Sequence, residues 1–176
     1  MKELDSTEKK IVKATFEILQ KEGFTKATTK KIAAKAGVNE VTIFRKFDNK
    51  KNLVEITKRY YLQILIDTLE EIFDFDEDEE IDVFLKISFY GILNLTDGDF
   101  SVLRVGMEEV RDISDKKLLI SEITDVILDK LEEFFVLQVD KGRIRDVDAR
   151  SLSVMCFSVL FQSVILWKIY KVLSTI

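Results

Sequence analysis

TTKKIAAKAGVNEVTIFRKFDNKKNL, residues 28–53, is the stretch that decides the fold. It reads as a helix, a glycine turn, a second short helix and a basic run. Thr28 is a suitable N-cap, because its hydroxyl can accept a free amide at a helix start. Ile32, Ala33 and Ala36 fall on one face at helical spacing, and small Ala33 lets a second helix cross closely. Gly37 stands where the chain must turn sharply and favours positive φ. Val38 plugs the corner, and Asn39 can cap the next helix. In that helix Val41, Phe44 and Phe47 are apolar and three apart, with Ile43 beside them. Glu40, Thr42, Arg45 and Lys46 take the other faces. A short helix with a polar N-terminal end and a free outer surface suits the major groove of double-stranded DNA.

Charge is distributed to match. Residues 1–60 carry 15 Lys/Arg against 8 Asp/Glu, or +7, whereas residues 61–176 carry 12 against 24, or −12. The net charge of −5 therefore hides a basic head and an acidic body. The head would be drawn to phosphate and the body repelled from it. The chain has no proline and only six glycines, which favours long helices over a many-turned β fold. With no histidine it lacks the usual general base and the commonest metal ligand. Cys156 is the sole cysteine, so no internal disulfide and no cysteine metal cage can form. No apolar segment of signal-peptide type follows the charged start, and a cytoplasmic protein is expected. Nucleophile elbow, phosphate loop and cysteine pair are all missing, so an enzyme is not expected, nor a cofactor or metal.

Outward from the motif the chain reads as all-α. A helix is predicted from about Ser6 to Gln20, with Ile11, Ala14, Phe16, Ile18 and Leu19 inward. Asp5 with Glu8 forms a capping box, and Gly23 is the stop. A fourth helix should run from near Lys50 to about Phe73 on a face of Leu53, Ile56, Tyr60, Ile64 and Leu69. The acidic run at 74–80 reads as a solvated loop and helix start; a divalent-cation site is the lesser reading, because the spacing of a calcium loop is absent. Helices follow at about Ile81–Leu95 and Phe100–Arg111, with Asp97-Gly98-Asp99 as the turn between them. Another spans about Asp115–Val139, placing Leu119, Ile123, Ile127, Leu131, Phe134 and Phe135 inward, and Gly142 stops it. The last helix starts near Asp146 or Asp148 and runs to about Val172. It is apolar nearly all round, through Val154, Met155, Phe157, Val159, Leu160, Phe161, Val164, Ile165, Leu166 and Trp167. Such a helix must bury more than one face, against its own core and against a partner subunit. The rival is a membrane span, but the uncharged stretch is only about 17 residues against the ~20 needed, and it holds Ser153, Ser158, Gln162 and Ser163.

Residues 8–55 resemble the DNA-binding domain of the TetR family of transcriptional regulators. The resemblance is carried by Gly37-Val38-Asn39, Thr42-Ile43-Phe44, Lys46-Phe47, Lys50-Lys51 and Leu53, with Gly23-Phe24 and Thr28-Thr29 upstream. Phe44 replaces the usual Tyr, so one phosphate-binding hydroxyl is absent. Lys46 stands where His or Tyr is common, and Lys51 replaces a usual acid. The resemblance implies a three-helix DNA-binding head over residues 1–49 and a helical effector-binding and dimerisation body over 50–176. By the same resemblance Lys30, Glu40, Val41 and Thr42 reach base edges, with Arg45 more lateral. Thr29, Phe44, Lys46 and Lys50 face phosphate. Arg or Lys can bond a guanine edge, Glu can accept from cytosine, and Val can touch a thymine methyl. Alternatives stand beside these roles: Val41 and Phe44 as packing residues, Glu40 as a helix-dipole residue, Lys46 and Lys50 as solvated.

Bodies of this family enclose a small-molecule pocket, and the expected lining here is Phe84, Phe89, Tyr90, Leu103, Met107, Phe135, Met155 and Phe161. It would favour an apolar or amphipathic effector. The family's dimer is built from two terminal helices of each subunit. Only the first is present, and the chain ends at Leu173-Ser-Thr-Ile176, so a chain shortened at its C-terminus is expected, with a reduced dimer interface as the alternative. The predicted function is a ligand-responsive repressor, a homodimer through the C-terminal helix on a palindromic DNA operator, with no membrane. The alternative is a helical interaction or membrane-attached protein whose helix-turn-helix is only structural.

Overall fold

The computed structural model describes residues 3–102 and 119–169. In chain order the helices are α1 (Ser6–Lys26), α2 (Thr29–Ala36), α3 (Glu40–Phe47), α4 (Lys50–Ile72), α5 (Ile81–Leu93), α6 (Leu119–Asp140) and α7 (Ala149–Val164). A π-helical turn, Ile165–Ile169, continues α7. No strand occurs among the described residues, as the composition requires.

Local chemistry sets the helix ends. Asp5 accepts from the amides of Thr7 and Glu8 while Glu8 accepts from the amide of Asp5, which is the predicted capping box. Gly23 interrupts α1 with φ 73° and ψ 175°, so the regular helix stops there and a further turn carries the chain to Lys26. Thr28 and Asn39 cap α2 and α3 through Lys31 and Val41. Gly37 is left-handed at φ 68°, and the amides of Gly37 and Val38 return to the carbonyls of Ala34 and Ala33. That pair of bonds is a Schellman motif, and it closes α2 where the sequence required a turn.

Two cores are built along these helices. The head core gathers Ile11, Val12, Ile18 and Leu19 of α1, Ile32 and Ala33 of α2, Ile43 and Phe47 of α3, and Leu53 and Val54 of α4. The body core gathers Leu62, Leu65 and Leu69 of α4 with Phe73, Phe84, Ile92, Ile123, Ile127, Leu131, Phe134, Phe135 and Leu160. Phe84 and Phe134 stack at 3.8 Å, and Phe75 meets both edge-on. Each such buried side chain contributes about 1.5–3 kcal/mol of transfer free energy. Phe16 of α1 joins the body core and stacks on Tyr61 of α4 at 3.7 Å, tying head to body. Gly91 lets α5 lie close to α4, because a Cβ there would stand 2.7 Å from Cγ2 of Ile72.

Several expectations need correction. In α3 the buried pair is Ile43 and Phe47, while Val41 and Phe44 are 70% and 47% exposed. Positions six apart lie about 120° apart around a helix, so Val41 and Phe47 cannot share a face. In α4 Ile64 is exposed, and Leu62 and Leu65 are buried in its place. The head covers the side bearing Leu53, Val54 and Thr57; the body covers a side turned by about 100°. Residues 97–99 are not a turn but the start of a helical segment reaching 102. Thr96 caps it: its amide donates to Asp99, whose own amide donates to the Thr96 hydroxyl. The rest of the helix predicted at Phe100–Arg111, the start of the one predicted from Asp115, and the end of the last helix lie outside the described residues. In the acidic run, Asp78 is bridged by Lys141 at 3.0 Å and Arg143 at 3.1 Å. The lysine's hydrogen bond, first, and its charge hold the Asp78 carboxyl below the usual carboxylate range. The run is therefore tied to the turn after α6 rather than only solvated.

Candidate nucleic-acid interface

α2 and α3 form the candidate interface. Burial of Ile32 and Ala33 on one helix and of Ile43 and Phe47 on the other fixes their crossing. The opposite side of α3 is left outward, carrying Val41, Phe44 and Arg45, with Thr42 half-buried beside them. Lys30 stands exposed on α2. These five are the predicted DNA residues whose side chains point out unencumbered by any contact described for them. The outward position of Val41 and Phe44 removes the reading in which they pack in the core.

The other predicted contacts are engaged within the head. The Thr29 hydroxyl donates to Oε1 of Glu40 at 2.5 Å, joining α2 to α3. Lys46 binds Asp5 and lies 3.8 Å from Glu8, so it is fastened to the capping box of α1. The Lys46 hydrogen bond is the first cause of a lowered Asp5 pKa. Lys50 donates to the carbonyl of Phe24 at 2.8 Å and sits 4.3 Å above that residue's ring. Lys31 and Lys35 of α2 pair back to Glu22 and Glu17 of α1. Four lysines of the head, Lys31, Lys35, Lys46 and Lys50, thus brace the fold. Asp5 and Lys46 are 41 positions apart, and nothing in the sequence signalled that pair. Thr29 and Glu40 are 11 apart, and a fixed helix-turn-helix geometry would have brought them together.

Among the described residues, the expected pocket positions lie at different depths. Phe84 and Phe135 are core residues; Phe89 and Phe161 are half-buried. Tyr90 and Met155 stand on the outer surface, 61% and 66% exposed. Leu103 and Met107 lie outside the described residues. Val154, Met155 and Val159 are exposed on the side of α7 away from buried Leu160, and Trp167 is exposed in the π-helical turn that follows.

Residues 11–56 match the family described as bacterial regulatory proteins, tetR family. Over 49 residues the chain is 53% identical to the uncharacterized HTH-type transcriptional regulator YvkB of Bacillus subtilis (strain 168). The head of this chain, over residues 11–56, is thus a tetR-family domain. The YvkB match spans 28% of the chain and only 26% of that protein, so it speaks for the TetR head alone. A longer match, 25% identical over 159 residues, covers 89% of the chain and 81% of the fatty acid metabolism regulator protein of Bacillus subtilis (strain 168). The crystal structure of the regulator FadR from Bacillus subtilis, in complex with stearoyl-CoA, superposes with a TM-score of 0.67 at 23% identity. It covers 93% of this chain and 88% of that one. At that identity the likeness establishes the fold alone, a helix-turn-helix head on a helical body.

Proposed function

We propose that this chain is a transcriptional repressor of the TetR family that binds a palindromic operator as a dimer and releases it on binding an amphipathic effector. The observation that carries the reading is the outward face of α3. Val41 is 70% exposed on a helix whose other side is locked by fully buried Ile43. An apolar side chain held out on a rigid basic head has a use in the major groove, where it meets thymine methyl groups. Lys30, Thr42 and Arg45 would read base edges beside it, while Phe44 would pack on sugar and phosphate. Lys46 and Lys50 would add charge near phosphate from their places in the brace.

Residues 1–49 would form the DNA-binding domain and 50–176 the effector and dimer domain, with α4 contributing to both cores. The dimer would form through α7. By length and composition Ala149–Trp167 would also suffice to cross a membrane. Contact of α7 with α6 on one side, and an operator-reading head at the other end of the chain, favour a second subunit over lipid. Two heads on a two-fold axis then meet half-sites about 34–36 Å apart. The effector would be of the acyl-CoA type. The fatty acid metabolism regulator covers most of the chain in sequence, and the FadR fold holds stearoyl-CoA. A cytoplasmic location follows from that work on DNA.

The test is fluorescence anisotropy on duplexes recovered from a random-sequence selection, followed by titration with stearoyl-CoA. A palindromic consensus, two chains per duplex and release of DNA by the thioester support the reading. Binding without sequence preference would sink it; specific binding that ignores stearoyl-CoA would remove the effector class alone.

A further inference from the structure

We infer that Thr29 is a positioning residue for Glu40, and that Glu40 so held selects a base with an exocyclic amino group, cytosine before adenine, at one position of each half-site. The inference rests on the reading of α3 as the base-reading helix. It departs from the expectation that Thr29 faces phosphate. A threonine hydroxyl has one hydrogen, and here it is donated to Oε1 of Glu40 at 2.5 Å. Phosphate oxygens only accept, so a Thr29 hydroxyl engaged in this way has no proton to offer them. Glu40 is the first residue of α3, next to the cap at Asn39, at the end of the helix where a carboxylate is well placed. An ionised carboxylate is an acceptor only. Its Oε2 has no described partner within the head, and a base edge would have to supply the donor. Cytosine N4 and adenine N6 are such donors in the major groove, whereas guanine presents O6 and N7, both acceptors. A negative side chain beside DNA is repelled by phosphate unless its direction is fixed. The bond from α2 fixes it.

The experiment measures binding of the full chain to its selected operator and to all single-base variants, across a salt series. The proteins are the wild type, Thr29→Val, Thr29→Ser and Glu40→Gln, each checked by thermal melting. The wild type should prefer cytosine over guanine at one symmetric position by about tenfold or more. Thr29→Val, close to isosteric, should lose most of that preference while keeping the others and the salt slope. Thr29→Ser should retain it. Glu40→Gln should move the preference toward adenine, because a carboxamide pairs with N6 and N7. The inference is overturned if Thr29→Val weakens every sequence equally and lowers the salt slope by about one per head, which marks a phosphate contact. It is also overturned if Glu40→Gln leaves the profile unchanged. A wild type without sequence preference overturns the proposed function first, and this inference with it.

Discussion

Asp48 has the most strained backbone in the head. It is the one non-glycine residue with positive φ among the described residues, at φ 67° and ψ −55°. The amide of Asn49 bonds back to the carbonyl of Phe47 at 2.7 Å, which makes Asp48 the centre of a tight γ-turn between α3 and α4. Such conformations cost about 1–3 kcal/mol, more than the roughly 0.5–1 kcal/mol that glycine's added chain entropy costs. Asp48→Gly should therefore stabilise the head by about 1 kcal/mol, read as a higher urea midpoint with unchanged slope. A second residue-level expectation concerns Asp5. The Lys46 ammonium depresses its folded pKa, so this contribution to stability is complete above the ordinary value of 3.8 and is lost as pH falls through the depressed one. In Lys46→Ala the Asp5 carboxyl should titrate nearer 3.8, as followed by carbon-detected NMR. At this scale the caps at Asp5, Thr28 and Asn39 and the turn at Gly37 were legible in sequence, because each rests on neighbours within five positions. The γ-turn was not, since aspartate carries no signal for it.

Helices were legible where they answer to one core. α6 is such a case: Ile123, Ile127, Leu131, Phe134 and Phe135 are all buried as their spacing predicts. α4 answers to two cores, and past Tyr60 its spacing places Leu69 inward correctly but points to Ile64 where Leu62 and Leu65 are buried. α7 answers to one side only, and its sequence alone could not say which residues would be left over. The structure separates Leu160, 2% exposed, from Val159, 60% exposed. Neighbouring positions should therefore respond differently. Leu160→Ala should cost about 2–5 kcal/mol in unfolding free energy, the range for a cavity in a packed core. Val159→Lys should leave the monomer's fold intact and shift the dimer to monomer in sedimentation velocity, with weaker operator binding. A dimer unaffected by Val159→Lys would place the subunit contact elsewhere.

For the molecule as a whole, charge separation would set how it meets DNA. A head of +7 on a body of −12 gives the chain a direction in the field of a duplex. Each neutralised phosphate should contribute about 0.9 to the slope of log affinity against log salt. A dimer touching about three phosphates per head would give a slope near −5, and a flat series would refute phosphate binding by these heads. The expected pocket is the part of the molecule that sequence conveyed least. Aromatic and methionine positions mark apolar character, but Phe84 in the core and Met155 on the surface have the same signature before folding.

α4 enters both cores in one unbroken helix, with Leu53 and Val54 at one end and Leu65 and Leu69 at the other. Its 23 residues span about 34 Å. Treated as a lever pivoting at the body end, a tilt of about 5° sweeps the head end through about 3 Å, close to the rise of one base pair. A change small enough to be absorbed by a few rotamers around Leu65 would thus put two heads out of step with their half-sites.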